Sequence, residues 1–375
     1  MPFWENVSST TSTKDGIPLP GLIGDGAAKI ILVVHLVVMG QIVSVFGIIA
    51  NTINIVVFFK QGFNESTTIS LFALAVGDLC ALLILQWFTL CINPWFSQLP
   101  LSFSPLEIQS LTAGYPRICF VRITGWITAF VAFERCLSVV VPLKVKSIIT
   151  TRVAALVNIL VFFFSFCSMV PVYSTAYYDW KFYPQQNRSL MGIFFTTNKD
   201  AVLGVSLFIT DFFGPLTSFT IVIICTCVIS LELRKKAKWR HHTSSKAIIS
   251  GQKNFGKENR VVIMVTIISI LFIVSATPMT ASLTARALIP ELNIIGRYKN
   301  LSWLSASVSF LMETVNSSVN IFVYYRMSTK WVRHLNNGPE EEDEESSTSS
   351  SDRSRLGRPP SRVNITNKKE ARKQR

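Results

Sequence analysis

Asp78 lies in the stretch Leu74-Ala75-Val76-Gly77-Asp78-Leu79, where every neighbour is apolar or glycine. An ionisable side chain at the centre of a hydrocarbon layer costs about 2.5–3.5 kcal/mol, so it needs a partner or a function. Asn51, Thr124, Asn316, Ser317 and Asn320 stand in similarly apolar surroundings. The spacing 316, 317, 320 puts the last three on one helical face. If that face meets Asp78, the group makes an oxygen-rich pocket for a small cation such as sodium, or for ordered water. A hydrogen-bonded packing network without an ion is the equal alternative, because Asn and Ser commonly join helices.

Two further sets carry charge. Glu134-Arg135 closes one apolar stretch and Glu258 opens another. Two carboxylates around one guanidinium hold helices together and release them when the helices separate; the plainer reading is an arginine snorkelling to water. Arg117, Arg122, Asp211, Arg286 and Glu313 form the other set. Charges of both signs at membrane depth pair across a cavity rather than face lipid, which reads either as a ligand pocket or as structural salt bridges. The four histidines, His35, His241, His242 and His334, form no metal or catalytic cluster with these acids, so an enzyme is not expected.

The elements that position these residues are set by composition. The chain has 375 residues, 49% hydrophobic and only 15% charged, with mean hydropathy +0.41, above what a soluble domain tolerates. Apolar runs of about 20 residues, enough to cross a ~30 Å layer, recur throughout. They predict spans near 30–59, 68–92, 105–139, 152–173, 200–231, 259–289 and 302–326. The fold class expected is therefore an all-α membrane protein, a seven-helix transmembrane bundle. The residues Ser328 to Leu335 pair apolar and basic positions in the manner of a short amphipathic helix on the membrane surface. Ser104-Pro105-Leu106-Glu107 reads as a capping box opening the third span, with a bend expected at Pro116.

Lys and Arg decide the sides. Lys60, then Lys144, Lys146 and Arg152, then eight basic residues from Arg234 to Lys257 mark alternate loops as cytoplasmic. The N-terminus is thus expected outside and the tail inside. The net charge of +14 is mostly juxtamembrane or in the tail, which fits attraction to anionic membrane lipid rather than nucleic acid. The first 25 residues lack a basic start followed by an apolar stretch, so the first span is expected to act as a signal anchor. Asn6 and Asn187 head sequons on expected outside segments. The seven cysteines indicate no extracellular disulfide framework. Residues 1–27 read as a short unstructured ectodomain, 28–337 as the membrane domain and 338–375 as an unstructured tail. In that tail an acidic run precedes Ser346, Ser347, Thr348, Ser349, Ser350 and Ser351. This pattern suits an acidophilic kinase, whose phosphates would make an anionic stretch for a basic cytoplasmic partner; a merely solubilising end is the alternative.

Taken in order, these residues resemble the rhodopsin-like, class A, G-protein-coupled receptors over roughly residues 28 to 337. The motifs are Gly47 to Asn51, LAVGDL, Glu134-Arg135-Cys136 with Pro142-Leu143, Pro215, Phe272 with Pro278, and NSSVNIFVYY from 316 to 325. The resemblance implies a sodium site at Asp78, Asn51, Thr124, Asn316, Ser317 and Asn320. It implies G-protein engagement through Arg135, released from Glu134 and Glu258, with Tyr324 pointing toward the cytoplasmic cleft. Arrestin and a receptor kinase at the tail are implied partners. Arg117 falls where amine receptors carry an aspartate, which argues against a biogenic amine. Arg122 and Asp211 fall on positions that usually face each other.

The departures are Cys136 for a tyrosine, Ile223 for another, Ala276 where the family's aromatic switch stands, Ser110 at the disulfide cysteine, and Ile321 at the seventh-helix proline. The last restores a backbone amide and predicts a straighter helix there. The combination is similar to divergent invertebrate receptors of the peptide (FMRFamide-like) and chemosensory groups. The expected function is a plasma-membrane receptor for an extracellular neuropeptide or small chemical cue that activates heterotrimeric G proteins. A transporter or channel is the rival; it should show paired repeats with broken helices, and no such symmetry is evident.

Overall fold

The computed structural model describes residues 23–184, 187–243, 249–292 and 296–327. Six helices are long and apolar enough to cross a membrane: α1 (Asp25–Gln61), α2 (Ser66–Ile92), α3 (Pro105–Val140), α4 (Thr151–Ser174), α5 (Lys199–Lys236) and a stretch Arg260–Arg286. The last lies within the longer helix α6 (Ile249–Leu288). A seventh helix, α7 (Lys299–Met327), completes the bundle. α3 packs against α2, α4, α5 and α6, while α7 closes the ring against α1 and α6.

α7 is too polar to stand out as an apolar span, and its neighbours explain how it survives. Ser307, Ser309, Thr314, Ser317, Ser318 and Asn320 are all buried. Several donate to their own helix: Ser309 to the Ser305 carbonyl, Thr314 to Phe310 and Ser318 to Thr314, each at 2.7–2.8 Å. A hydroxyl satisfied within its own turn adds little polarity to the surface it presents. The helix runs unbroken through Asn320 and Ile321, as the restored amide at 321 allows.

Two prolines reshape the helices that carry the charges. In α3 a wide π-helical turn over Ser110–Gly114 precedes Tyr115-Pro116. In α5 a second spans Phe208–Phe213, just before Gly214-Pro215. Proline has no N–H to give the carbonyl four residues earlier and its ring crowds that oxygen, so the chain opens a wider turn upstream. In α5 that carbonyl belongs to Asp211, which lies within the wide turn. What the structure shows near Pro116, where a bend was expected, is this wide turn over Ser110–Gly114.

One element escapes the expectation of an all-helical protein. Ala176–Tyr183 (β1) and Arg188–Phe195 (β2) form an antiparallel hairpin in which Tyr178 pairs with Ile193 and Lys181 with Leu190. Asn187, at its tip, is exposed and takes a left-handed backbone with φ of 45°. Asn tolerates that region, so the sequon sits where a turn needs it. The hairpin is tied to the start of α3: Met191 N–H donates to the Ser102 carbonyl and Ser104 N–H to the Met191 carbonyl, both at 2.9 Å.

The capping box is corrected by this tie. Ser104 does precede α3 with Pro105 at its first position, but its side chain makes no capping bond. Glu107 does not reach back; its carboxylate accepts Ile193 N–H at 2.9 Å and Lys181 Nζ at 3.0 Å from the hairpin. Backbone and ammonium donors delivered by the hairpin outcompete the local cap. α1 also starts earlier than expected, at Asp25, because Asn300 of α7 donates to the Ile23 carbonyl and to Asp25 Oδ1. Asn6, the surface helix expected from Ser328, the tail from 338 with Ser346 to Ser351, and the side chain of Glu258 lie outside the described residues.

Candidate functional site: a charged cavity, a polar core and an arginine lock

A cavity of about 180 Å³ opens between α3, α5, α6 and α7, lined by Arg117, Arg122, Asp211 and Glu313 among apolar walls that include Phe272, Met279 and Leu283. Arg117, 3% exposed, places Nη2 at 3.2 Å from Glu313 Oε2, and its guanidinium lies 4.2 Å from the Phe310 ring centre. The quadrupole of the ring supports the cation where water cannot. Arg122 Nη2 lies 2.9 Å from Asp211 Oδ1, and Nη1 donates to Ser168 Oγ of α4 at 3.2 Å. Four of the five expected charges therefore meet at one cavity. Arg286 does not line it: its Nη2 donates to the Ser302 carbonyl at 3.1 Å, bracing α6 against α7. Ala276 lines the cavity where an aromatic ring would fill it.

Below the cavity, toward the Arg135 end of α3, lies the polar core. Thr124, Asn316 and Ser317 line the cavity floor. Asn320 Nδ2 donates to Asp78 Oδ2 at 3.0 Å, and Ser317 stands beside that carboxylate. Asn51 Nδ2 donates to the Ser317 carbonyl at 2.7 Å, which joins α1 to α7. Thr124 donates to its own helix at the Val121 carbonyl. A small residue is needed beside Asp78, because a Cβ on Gly77 would come within 2.8 Å of Thr124 Cγ2. Asp78 Oδ1, Asn51 Oδ1, Asn316 Oδ1 and Asn320 Oδ1 are buried without a protein partner. Unpartnered oxygens around a single carboxylate fit a hard monovalent cation or a cluster of waters, both of which take oxygen ligands.

At the far end of α3, Glu134 is 1% exposed and bonds Arg135 Nη2 directly. The same carboxylate accepts Thr67 Oγ1 at 3.0 Å and Ser66 Oγ, and Arg135 Nη2 also reaches Thr67 Oγ1. The arginine is thereby held against α2. Tyr324, expected to point toward a cytoplasmic cleft, is enclosed within the bundle. It is 1% exposed and packs edge-on against Phe58 of α1, ring centres 5.1 Å apart. The ring contact contributes to its burial, while the hydroxyl is buried without a protein partner.

The family model described as the 7 transmembrane receptor (rhodopsin family) matches residues 50–324. The chain belongs to the rhodopsin family of seven-transmembrane receptors. No curated protein matches it. As a member of that family it is a multi-pass membrane protein and a G-protein-coupled receptor, not an enzyme, and the transporter reading is not favoured.

The receptor contains polar ties that sequence reasoning passed over. Ser66 and Thr67 are unremarkable in sequence, and only their position beside Glu134 gives them a role. Asn158, a single amide inside the apolar run of α4, was a readable signal; it donates to Ser70 Oγ of α2 at 3.0 Å. Asn54 is wholly buried, with neither amide atom partnered. Asn51 and Phe58 on the same face of α1 meet Ser317 and Tyr324, so Asn54 faces the stretch of α7 between them.

Proposed function

We propose that this receptor sits in the plasma membrane with its N-terminus outside and its tail in the cytoplasm, and that it binds an extracellular ligand in the cavity bounded by Arg117, Arg122, Asp211 and Glu313. The ligand is a neuropeptide of the FMRFamide-like class or a small chemosensory cue, and the bound receptor activates a heterotrimeric G protein through Arg135 and the basic loops. The observation that carries this reading is the division of labour along α3. Buried charges surround a cavity at one end, and the other end holds an arginine closed against α2 by Glu134 and Thr67. A ligand that favours the arrangement with Arg135 released shifts the population toward an open cleft, with α6 swinging outward.

A sodium ion at Asp78, held by Asn51, Thr124, Asn316, Ser317 and Asn320, would supply the positive charge that a buried carboxylate calls for. Glycan at Asn6 and Asn187, and receptor-kinase phosphates on Ser346 to Ser351 recruiting arrestin, complete the proposal.

The decisive test is Arg135→Ala in reconstituted membranes. Ligand-stimulated nucleotide exchange is expected to vanish while surface expression persists; unchanged signalling rejects the mechanism.

A further inference from the structure

The charges in the cavity are not equivalent, and their differences describe the ligand. This step rests on the cavity being the ligand site. Arg117 is committed: Glu313 pairs with it and Phe310 lies against its face. Arg122 is not. It is 8% exposed, and although Nη2 approaches Asp211 Oδ1, the approach lacks the alignment of a hydrogen bond. Nε stays buried without any partner, and Nη2 is held by Asp211 through charge alone. Those two donors form one edge of the planar guanidinium, the edge whose paired N–H groups match the two oxygens of a carboxylate. A buried fork held on one side only, by an ion pair, and empty on the other is costly unless a better acceptor arrives.

Asp211 is the weaker holder of the pair. Its side chain is 29% exposed against 7% for Arg122, so water can take over the aspartate when a competitor takes the arginine. The surrounding walls, Ile118, Val121, Phe272, Met279 and Leu283, offer apolar surface, and the cavity's other cation, Arg117, is already paired with Glu313. We infer that the ligand presents a carboxylate to the Nε–Nη2 edge of Arg122, with an apolar body laid against Phe272, Met279 and Leu283. The carboxylate belongs to a small amphiphilic acid or to the free C-terminus of a peptide; a C-terminally amidated peptide lacks it, so of the ligands proposed above the FMRFamide-like class does not fit this edge.

The test uses purified receptor in nanodiscs and reads thermal stabilisation over a concentration series. Octanoate, octanol and octylamine are compared, then N-acetyl-Phe-Leu with a free carboxyl against its C-terminal amide. Octanoate is expected to stabilise and its uncharged and cationic analogues are not. The peptide acid outperforming its amide and octanoate together assigns the peptide source; the reverse assigns the small acid. Arg122→Lys keeps the charge, and hence the fold, while losing the fork; it should weaken the carboxylate response by about tenfold or more. Asp211→Asn removes the competing carboxylate and should strengthen it. Octylamine binding best, or octanoate acting equally on Arg122→Lys, overturns the inference. Gly125→Leu separates this from the cavity assignment, since a side chain there enters the space beside Phe272 and Ser218. Probes that bind without regard to charge and are lost in Gly125→Leu leave the ligand site standing and the carboxylate refuted.

Discussion

Replacing Glu107 by Ala should loosen the hairpin of β1 and β2 from α3. The carboxylate accepts the Ile193 amide at 2.9 Å and Lys181 at 3.0 Å, and the Tyr183 hydroxyl sits beside it. Burial, reinforced by that neighbouring carboxylate, pushes the Tyr183 phenol up to about 12, so it stays protonated at any physiological pH. A hydrogen bond to a charged acceptor contributes about 1.5–3 kcal/mol. The Lys181 pair adds little, because Lys181 is 44% exposed and an exposed pair is screened by water and salt. Local opening of β2 should therefore become about 10- to 150-fold more frequent. Hydrogen–deuterium exchange of residues 188–195, followed by mass spectrometry in nanodiscs, reads this directly. The remaining ties, at Ser102, Ser104 and Met191, stay in place, so global unfolding should change much less. All seven cysteines are free thiols and none lies in the hairpin, so reductant should have no effect on this exchange. Exchange in Glu107→Ala equal to that of the parent protein would refute the clamp.

Glu313→Gln leaves the Arg117 guanidinium buried without its counter-charge and should cost about 3–5 kcal/mol, seen as a lower melting temperature. The pair Arg117→Met with Glu313→Leu should recover most of it, and failure to recover would locate the cost elsewhere. Thr67→Val removes the hydroxyl shared by Glu134 and Arg135 and should raise ligand-independent nucleotide exchange severalfold; an unchanged basal rate would show that the lock does not restrain signalling. Asn54 and the Tyr324 hydroxyl, both buried and unpartnered, should be joined by water. A double-mutant cycle of Asn54→Val and Tyr324→Phe should then show coupling of about 1 kcal/mol in stability, whereas strictly additive effects would mean no bridge.

What could be read from the sequence follows from solvation. A charge or amide in hydrocarbon is expensive wherever it stands, so Asp78, Asn320, Arg117, Glu313 and Glu134 stood out without a structure, as did the apolar runs that carry them. Helical spacing sufficed to place Asn316, Ser317 and Asn320 on one face. Which partner each charge takes was a matter of packing alone. Glu107 had a local use as a cap, and the hairpin won it with better donors. Arg286 had the same credentials as Arg117, yet its place near the end of α6 delivers it to a backbone carbonyl of α7 instead of the cavity. Tyr324 keeps its position in the motif, and its burial against Phe58 depends on how α1 packs on α7. The hairpin itself was hidden because exposed, aromatic β1 shows no clean alternation of buried and exposed residues. Composition and period are properties of a segment and survive in the sequence, but the choice among competing donors depends on distances between segments far apart in the chain, and those exist only once the bundle has closed.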